Sequence, residues 1–307
     1  ERRTVVPSPR LSPNRRSSEY HTAPYAVCEV LSSAITGNYV KDFEHPFVGL
    51  VAFYDADGEF LHRCSGSLLS PSVFLTAGHC TDGATTARIW FHQGAGAHYD
   101  PGTQYDPVTG YPDECLAGDP LCYTSDELYT YDGFGDFAVP QTYDIGLVIL
   151  DQAVPTTVIS EYGQLATAGS LDRIASRGPG RREVVFTASG YGLSSSSPVK
   201  VESFRERLMA TARLTNLNNA LTAGFNLQTN GNGSGLGGTC SGDSGGPVFY
   251  GDTTSNIIVA VTSFGLNAYC RGVDFAYRTD QADVIAWILS HSPVSERQGI
   301  INRMAAL

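Results

Sequence analysis

The chain has 307 residues, of which 42% are hydrophobic and 17% are charged, and its formal net charge at pH 7 is −11. This composition is typical of a globular protein long enough for two modest domains with a sizeable core. The acidic balance argues against nucleic acid or an anionic membrane surface as the main partner. No apolar run reaches the roughly 18 residues that a membrane span needs, so none is expected.

Residues 1–34 are expected to form a leader or propeptide that is partly disordered. The first 19 residues are rich in Pro, Ser and Arg and contain few apolar side chains, a composition that cannot bury a core. The dibasic pair Arg15-Arg16 fits either a processing site or a solvated charge cluster. Because the sequence begins at Glu1 and carries no apolar signal core, we expect that a signal peptide has been removed.

Short β-type segments separated by turn residues follow the leader. An apolar segment at 47–53, an Asp-Gly turn and a second segment at 59–62 predict a hairpin. Further β-type segments lie at 65–69, 73–76, 87–91, 184–192 and 208–214, and after Gly246. A convincing helical pattern occurs at 280–289, where Val284, Ile285, Ile288 and Leu289 share a face. The pattern predicts an all-β protein with a C-terminal α-helix.

Residues 98–142 form a segment rich in Tyr, Asp, Gly and Pro that is far longer than a typical connection. Nine acids lie between Asp100 and Asp136, and no Lys or Arg occurs from Ile89 to Asp172. The spacing of acids and glycine that defines a calcium-binding loop is not met. We expect a solvated surface loop held by one disulfide, and the alternative is a cap over the cleft that selects substrates.

Residues 238–249 read Gly-Thr-Cys-Ser-Gly-Asp-Ser-Gly-Gly-Pro-Val-Phe. Their small side chains permit tight, left-handed turns, and β-type segments follow. A serine on such a loop is exposed enough to act as a nucleophile, and neighbouring backbone N–H groups can stabilise a developing oxyanion. Alone, this stretch fits a glycine-rich linker equally well.

Two further stretches decide between these alternatives. Leu-Thr-Ala-Gly-His-Cys at 75–80 places His79 after an apolar run, and Asp144 opens an apolar strand. Each feature alone is more often structural than catalytic. Together His79, Asp144 and Ser244 follow the order base, orienting acid, nucleophile, and all three contexts resemble the chymotrypsin/trypsin-like serine proteases.

The resemblance covers about residues 35–290 and implies two packed antiparallel six-stranded β-barrels followed by a C-terminal α-helix. The first barrel would occupy 35–152 and include the acidic, Tyr-rich insertion 98–142. The second barrel would occupy 153–279, and the helix and tail 280–307.

The resemblance also implies the catalytic roles. His79, Asp144 and Ser244 form the triad, and the backbone N–H groups of Gly242 and Ser244 form the oxyanion hole. The reaction is acyl transfer to Ser244 followed by hydrolysis, with no cofactor and no metal. The remaining histidines outside the leader are expected to be surface or packing residues: His45, His62, His92, His98 and His291.

Seven cysteines indicate an oxidising compartment and therefore a secreted protein. Cys-x₂-Cys spacing is absent, so they do not suggest a zinc site. The expected disulfides are Cys64–Cys80, Cys240–Cys270 and Cys115–Cys122. The first two follow from the resemblance, and the third follows because its cysteines close a short loop. Cys28 is then either free or joined to the acidic insertion by an exchange of partners.

The resemblance implies five residues of the substrate pocket: Gly238, Thr239, Ser263, Phe264 and Gly265. Gly238, six residues before the nucleophile, would form the floor, and an uncharged floor cannot pair with Arg or Lys. We therefore expect cleavage after apolar or aromatic residues. The far wall within 272–277 stays undetermined, since Phe275 would shrink the pocket and Asp274 would give it charge.

Ile35 and Asp243 are the candidates for an activation switch. Ile35 lies 44 residues before His79, close to where proteases of this kind begin after activation. A cut before it would free an ammonium group to pair with the buried Asp243. Asn38 and Ala34 depart from the family pattern, and Ala34 rules out a trypsin-like activator. The alternative is a single-chain enzyme in which Asp243 pairs with an internal Arg, Lys or His.

The predicted function is that of a secreted, monomeric serine endopeptidase that acts on peptides or proteins and is open to proteinaceous inhibitors. One alternative is a catalytically silent binding protein on the same scaffold, although such proteins usually lack a triad member. Another is a non-peptidase hydrolase, since 242–246 fit Gly-x-Ser-x-Gly. Those hydrolases, however, run Ser, acid, His along the chain and need parallel βα units.

Overall fold

A computed structural model describes residues 35–98, 115–135, 137–175, 184–197, 200–203, 205–232 and 235–302. The leader with Cys28 lies outside these ranges, as does most of the first half of the acidic insertion. Two short strands come first: β1 (Thr36–Gly37) and β2 (Val40–Lys41).

The first barrel follows directly in the chain. Its strands are β3 (Val48–Tyr54), β4 (Phe60–Leu68), β5 (Val73–Thr76), β6 (Thr86–Trp90), β7 (Cys122–Ser125), β8 (Glu127–Thr130) and β9 (Gly146–Ile149). They pair antiparallel in the order β7-β6-β3-β4-β5-β9-β8. Because only Asp126 separates β7 from β8, one stretch of chain pairs with β6 and then with β9, and the sheet curls into a six-stranded barrel.

The second barrel carries the serine loop. This part of the chain contains β10 (Gln164–Leu165), β11 (Val185–Gly190), β12 (Ser195–Ser197), β13 (Lys200–Glu202), β14 (Leu208–Asn216), β15 (Asn226–Asn230), β16 (Gly237–Gly238), β17 (Pro247–Tyr250), β18 (Ile257–Gly265) and β19 (Val273–Arg278). Strands β12 and β13 pair with each other and β16 pairs with β1, outside the barrel. Strands β11, β14, β15, β19, β18 and β17 form a closed antiparallel ring. The two-barrel, all-β prediction is therefore confirmed.

Each barrel buries an apolar interior. Strand β3 is buried along its whole length, because its apolar run is covered both inside and outside the barrel. Trp90, Phe74 and Phe53 are fully buried in the core of the first barrel, and Phe186 lies in that of the second.

Helices are few. They are α1 (Gly78–Thr81), α2 (Ser170–Ala175), α3 (Ala282–His291) and α4 (Arg297–Ile300), with a 3₁₀ turn at Ala95–His98. Helix α3 is the predicted C-terminal helix, shifted by two residues, and it buries Val284, Ile285 and Ile288 as expected. No helix within the described residues is both long enough and apolar enough to cross a membrane.

The acidic insertion differs from the expected surface loop. Residues 122–130 are strands β7 and β8, which complete the first barrel. The sequence did not reveal them because Tyr, Thr, Asp and Glu stand there instead of an apolar run. The loop prediction was therefore wrong for this part of the insertion.

Candidate active site

His79 and Asp144 are brought together by the pairing of β5 with β9. His79 lies in α1 just after β5, Asp144 lies just before β9, and Thr76 is the strand partner of Gly146. Asp144 is fully buried, and its carboxylate lies 2.9 Å from His79 Nδ1 and accepts a 2.8 Å hydrogen bond from His79 N. The bond to Nδ1 holds the ring with Nε2 free to accept a proton.

Ser263 also holds Asp144. It was expected on the substrate-binding edge and it does line the cleft, and its buried hydroxyl also donates to Asp144 Oδ2. His62 supports the same region, because its Nε2 donates to Cys80 O at 2.8 Å. Burial, opposed by this hydrogen bond, lowers the pKa of His62, so it is a packing residue as predicted.

Ser244 stands on a tight loop held from several sides. Ser65 N donates to Ser244 O at 2.8 Å, and Gly245 N donates to Thr262 O at 2.8 Å. Gly245 has φ of +77°, and a Cβ there would lie 2.1 Å from Thr76 Oγ1. Only glycine fits, because both the backbone conformation and the space exclude a side chain.

Two backbone N–H groups of this loop point to no protein acceptor. Among the described residues, the N–H groups of Gly242 and Ser244 make no hydrogen bond, whereas those of Asp243, Gly245 and Gly246 all do. Unpaired amide donors on either side of Asp243 are the arrangement that an oxyanion would need.

Ser244 and His79 line one cleft of about 510 Å³. The His79 side chain is 20% exposed, in contrast to its buried partner Asp144. Within the described part of the chain no hydrogen bond joins the Ser244 hydroxyl to His79. Such bonds often tighten only when substrate binds.

The cleft carries the carboxyl group of Asp274, which the sequence analysis had considered for the far wall of the pocket. Gly238, which was expected to form the floor, is not among the residues that line the cleft. A Cβ on it would lie 2.6 Å from Asp274 Oδ2, and Asp274 lines the cleft with Thr239. The premise of an uncharged floor was wrong. Burial, offset in part by a hydrogen bond from Thr239 N, raises the pKa of Asp274 to about 7.

Aromatic rings form another wall. Phe137 belongs to the acidic insertion, and its ring centre lies 5.0 Å from that of His79 and 6.3 Å from that of Phe264. Both phenylalanines line the cleft. Phe275 is fully buried and stacks on Phe264 at 4.6 Å. It therefore lies behind Phe264 and does not fill the pocket. Sequence reasoning missed Phe137, because no motif marks it.

Asp243 is fully buried beside the nucleophile. Its oxygens accept 3.1 Å hydrogen bonds from the backbone N–H groups of Gly192 and Cys240. Among the described residues no ion pair includes it, whereas an ion pair with an internal Arg, Lys or His was the alternative to the activation switch. Burial raises the pKa of Asp243 well above its usual value, although the two backbone hydrogen bonds lower it. The charge of Arg63 also lowers its pKa. Ile35 is also fully buried, and strand β1 pairs with β16.

The structure contains the three expected disulfides, Cys64–Cys80, Cys115–Cys122 and Cys240–Cys270. In the part of the chain that the structure describes, one Cys/His group has the spacing to hold a metal: Cys64, His79 and Cys80. Its two sulfurs are joined in a disulfide, so they offer no thiolate ligand.

Other histidines make packing contacts. His45 is buried with Nδ1 2.9 Å from Asp42, His92 Nε2 lies 3.2 Å from Asp119, and His291 packs against Trp287. The side chain of His98 lies outside the described residues.

Comparison with known proteins gives consistent results. Residues 35–288 match the family model described as Trypsin. Brachyurin of Leptuca pugilator is 30% identical over 216 residues, which cover 69% of this chain and 79% of that protein. CLIP domain-containing serine protease B4 of Anopheles gambiae is 23% identical over 94% of this chain and 78% of its own length.

A solved structure of HL collagenase superposes with a TM-score of 0.56 over 83% of this chain and 96% of that one, at 16% identity. This likeness supports the two-barrel fold. The family model spans both barrels and the C-terminal helix, with all three triad candidates inside it. The chain belongs to the trypsin family.

Proposed function

We propose that this chain is a serine endopeptidase that cleaves peptide bonds through an acyl-enzyme on Ser244. One observation carries the proposal: the cleft that contains Ser244 also contains His79, whose Nδ1 is held by the buried Asp144. In the reaction Ser244 Oγ attacks the scissile carbonyl carbon while His79 Nε2 takes the hydroxyl proton. The N–H groups of Gly242 and Ser244 stabilise the oxyanion.

The second half of the reaction uses the same groups. His79 gives its proton to the leaving amine, and the first product departs. Water then attacks the acyl carbon, again passing a proton to His79, and Ser244 is released. Asp144 stays ionised throughout and stabilises the imidazolium. No triad member is missing, which disfavours the silent binding protein, and the antiparallel barrels disfavour the parallel-sheet hydrolases.

The specificity pocket supports cleavage after apolar or aromatic residues, and Asp274 extends this to basic ones. Its lining includes Leu266, Ala268 and Val273, which suit an apolar side chain. The carboxyl of Asp274 at the floor gives a Lys or Arg side chain an ionic partner when it is deprotonated. Gly238 leaves room for such a side chain to approach it.

We further propose secretion and activation by a cut before Ile35. Three disulfides support an oxidising compartment. For activation, the support is a buried Asp243 whose hydrogen bonds, among the described residues, come from backbone N–H groups, and a buried Ile35. A new ammonium at Ile35 would give this carboxylate a counter-charge.

Covalent labelling tests the central proposal. A phosphonofluoridate probe should attach to Ser244 of the activated protein, and the protein should hydrolyse peptides. Ser244→Ala should lose both labelling and turnover while its thermal unfolding stays near wild type. Labelling at another residue, or more than about a thousandth of wild-type activity in Ser244→Ala, would point to a different nucleophile.

A further inference from the structure

We propose that the side-chain hydroxyl of Ser65 is a positioning group for the oxyanion hole. This inference rests on the proposed function. Ser65 lies on β4 in the first barrel, fully buried, and its hydroxyl donates to Gly242 O at 2.7 Å across the boundary between the barrels. Gly242 and Ser244 are the residues whose N–H groups face the reacting carbonyl oxygen.

Ser65 holds the nucleophile loop at two places. Its hydroxyl bonds to Gly242 O, and its backbone N donates to Ser244 O at 2.8 Å. The carbonyls it holds therefore belong to the same two residues that donate to the oxyanion. Fixing both carbonyls fixes the turn at 242–244, and with it the direction of the unpaired N–H groups.

The orientation of the hydroxyl is itself determined. Ser65 Oγ accepts a 2.9 Å hydrogen bond from Tyr191 N, so its single hydrogen is directed to Gly242 O. Thr76 Oγ1 in turn donates to Ser65 O at 2.9 Å. Ser65 is thus held by Thr76 of β5 and by Tyr191, which directly follows β11, and its hydroxyl cannot rotate freely.

Loss of this hydroxyl would act on a flexible peptide. Gly242 has φ of +91°, and as a glycine it can adopt other conformations at little cost. Its carbonyl, buried and without a donor, would turn toward any polar group within reach. The loop would then lose the alignment of its donors, while His79, Asp144 and the pocket residues outside the loop would keep theirs.

Ser65→Ala tests this, with Ser125→Ala as a matched control. Ser125 is also a buried strand serine whose hydroxyl donates to a backbone carbonyl, Ile149 O, and accepts from a backbone N–H, Glu127 N. It belongs to β7, in the first barrel, and has no bond to the nucleophile loop. Both variants lose equivalent hydrogen bonds, so both should unfold at similarly lowered temperatures.

The kinetic readouts separate positioning from stability. Active sites are first counted with the phosphonofluoridate probe, which also shows whether the wild-type protein is a serine hydrolase at all. Ser65→Ala should then lower kcat about 10- to 100-fold and change KM less than about twofold. This loss in kcat is at most comparable to the loss that follows removal of an oxyanion-hole donor. Affinity for a peptide boronic acid should fall by a similar factor, and affinity for the product peptide should stay the same.

Two outcomes would overturn the inference while leaving the proposed function intact. One is that Ser65→Ala, with its active sites counted by labelling, has a kcat within twofold of that of Ser125→Ala. The other applies if Ser65→Ala does not fold, and it compares Ser65→Thr with Ser65→Val, which has a methyl group in place of the hydroxyl. Equal kcat values for these two variants would overturn the inference. A higher kcat and tighter boronate binding in Ser65→Thr than in Ser65→Val would support it.

Discussion

The backbone N–H of Thr239 donates a 2.9 Å hydrogen bond to Asp274 Oδ2, which joins the floor of the cleft to strand β19. The two residues are 35 positions apart in sequence. This contact places a carboxyl group, 8% exposed, beside Gly238 and in the lining of the cleft. The charge of the specificity pocket is therefore set by a residue outside the serine motif.

We predict that the preference between basic and apolar substrates depends on pH through Asp274. Burial raises its pKa to about 7, so the carboxyl is neutral below that pH and attracts a cation above it. The ratio of kcat/KM for a Lys substrate to that for a matched Phe substrate should rise as pH passes 7. Any effect of pH on the catalytic step that both substrates share cancels in the ratio.

Asp274→Asn provides the control for this preference. It should remove the pH dependence of the Lys-to-Phe ratio and lower activity on the Lys substrate by about tenfold or more at pH 8. Activity on the Phe substrate should stay within about twofold. A wild-type ratio that does not change between pH 6 and 8.5 would contradict the assignment.

Asp144→Asn should reduce kcat by about four orders of magnitude, because the amide stabilises the wrong tautomer of His79. Ser263→Ala removes one donor to the same carboxylate and should cost much less, about tenfold. Steady-state kinetics on one peptide substrate, with active sites counted by labelling, measures both. Equal losses in the two variants would show that Ser263 does more than orient Asp144.

Phe137→Ala should weaken substrate binding more than chemistry. Its ring lies against His79 and Phe264 at the open side of the cleft, so it is placed to cover the residue before the one that enters the pocket. We expect KM to rise about threefold or more for peptides with an apolar residue there, and kcat to change little.

Phe43→Ala is a suitable control for Phe137, because Phe43 is 68% exposed and does not line the cleft. It should leave KM unchanged. If both variants behave alike, or if Phe137→Ala affects glycine-containing and apolar peptides equally, Phe137 has no role in substrate selection.

The sequence predicted the architecture well, and it allowed the triad to be proposed, because both rest on local patterns. Short apolar segments between turns indicate barrel strands, and the contexts of His79 and Ser244 are contiguous motifs. Strands β7 and β8 were missed because half-exposed strands with polar side chains lack an apolar run. Their place in the barrel is set by pairing with β6 and β9, which is a property of the folded chain.

The residues that sequence reasoning missed act through contacts between distant segments. Ser65 reaches Gly242 across 177 positions, and Phe137 reaches the cleft from an insertion with no motif. Asp274 was considered, but its register against Gly238 depends on a shift in the pairing of β18 with β19 near Thr262. Such a shift changes which side chains face the pocket and leaves no clear mark in the sequence.

The uncut chain should lose stability as pH rises above about 4, because of Asp243. Burial raises its pKa well above the usual value, so the folded chain keeps a proton that the unfolded chain releases near pH 4. The folded state then binds more protons, and stability falls with rising pH until the folded pKa is reached. Uncut Asp243→Asn should show a smaller decline, because Asp274, whose pKa is also raised, acts in the same direction and is still present.

A cut before Ile35 should reverse this dependence. The new ammonium would pair with ionised Asp243, which raises the pKa of the amine above its usual value near 8. The stabilisation is then full below about pH 8 and is lost as pH rises through the raised value.

To measure it, residues 30–34 are replaced by Asp-Asp-Asp-Asp-Lys in a Ser244→Ala background, and unfolding temperatures are compared before and after enteropeptidase cleavage. At pH 7 the cut chain should unfold about 3 °C or more above the uncut chain, and the difference should shrink toward pH 10. Identical pH profiles for the two forms would mean that the amine of Ile35 does not reach Asp243, and that activation requires another partner for this carboxylate.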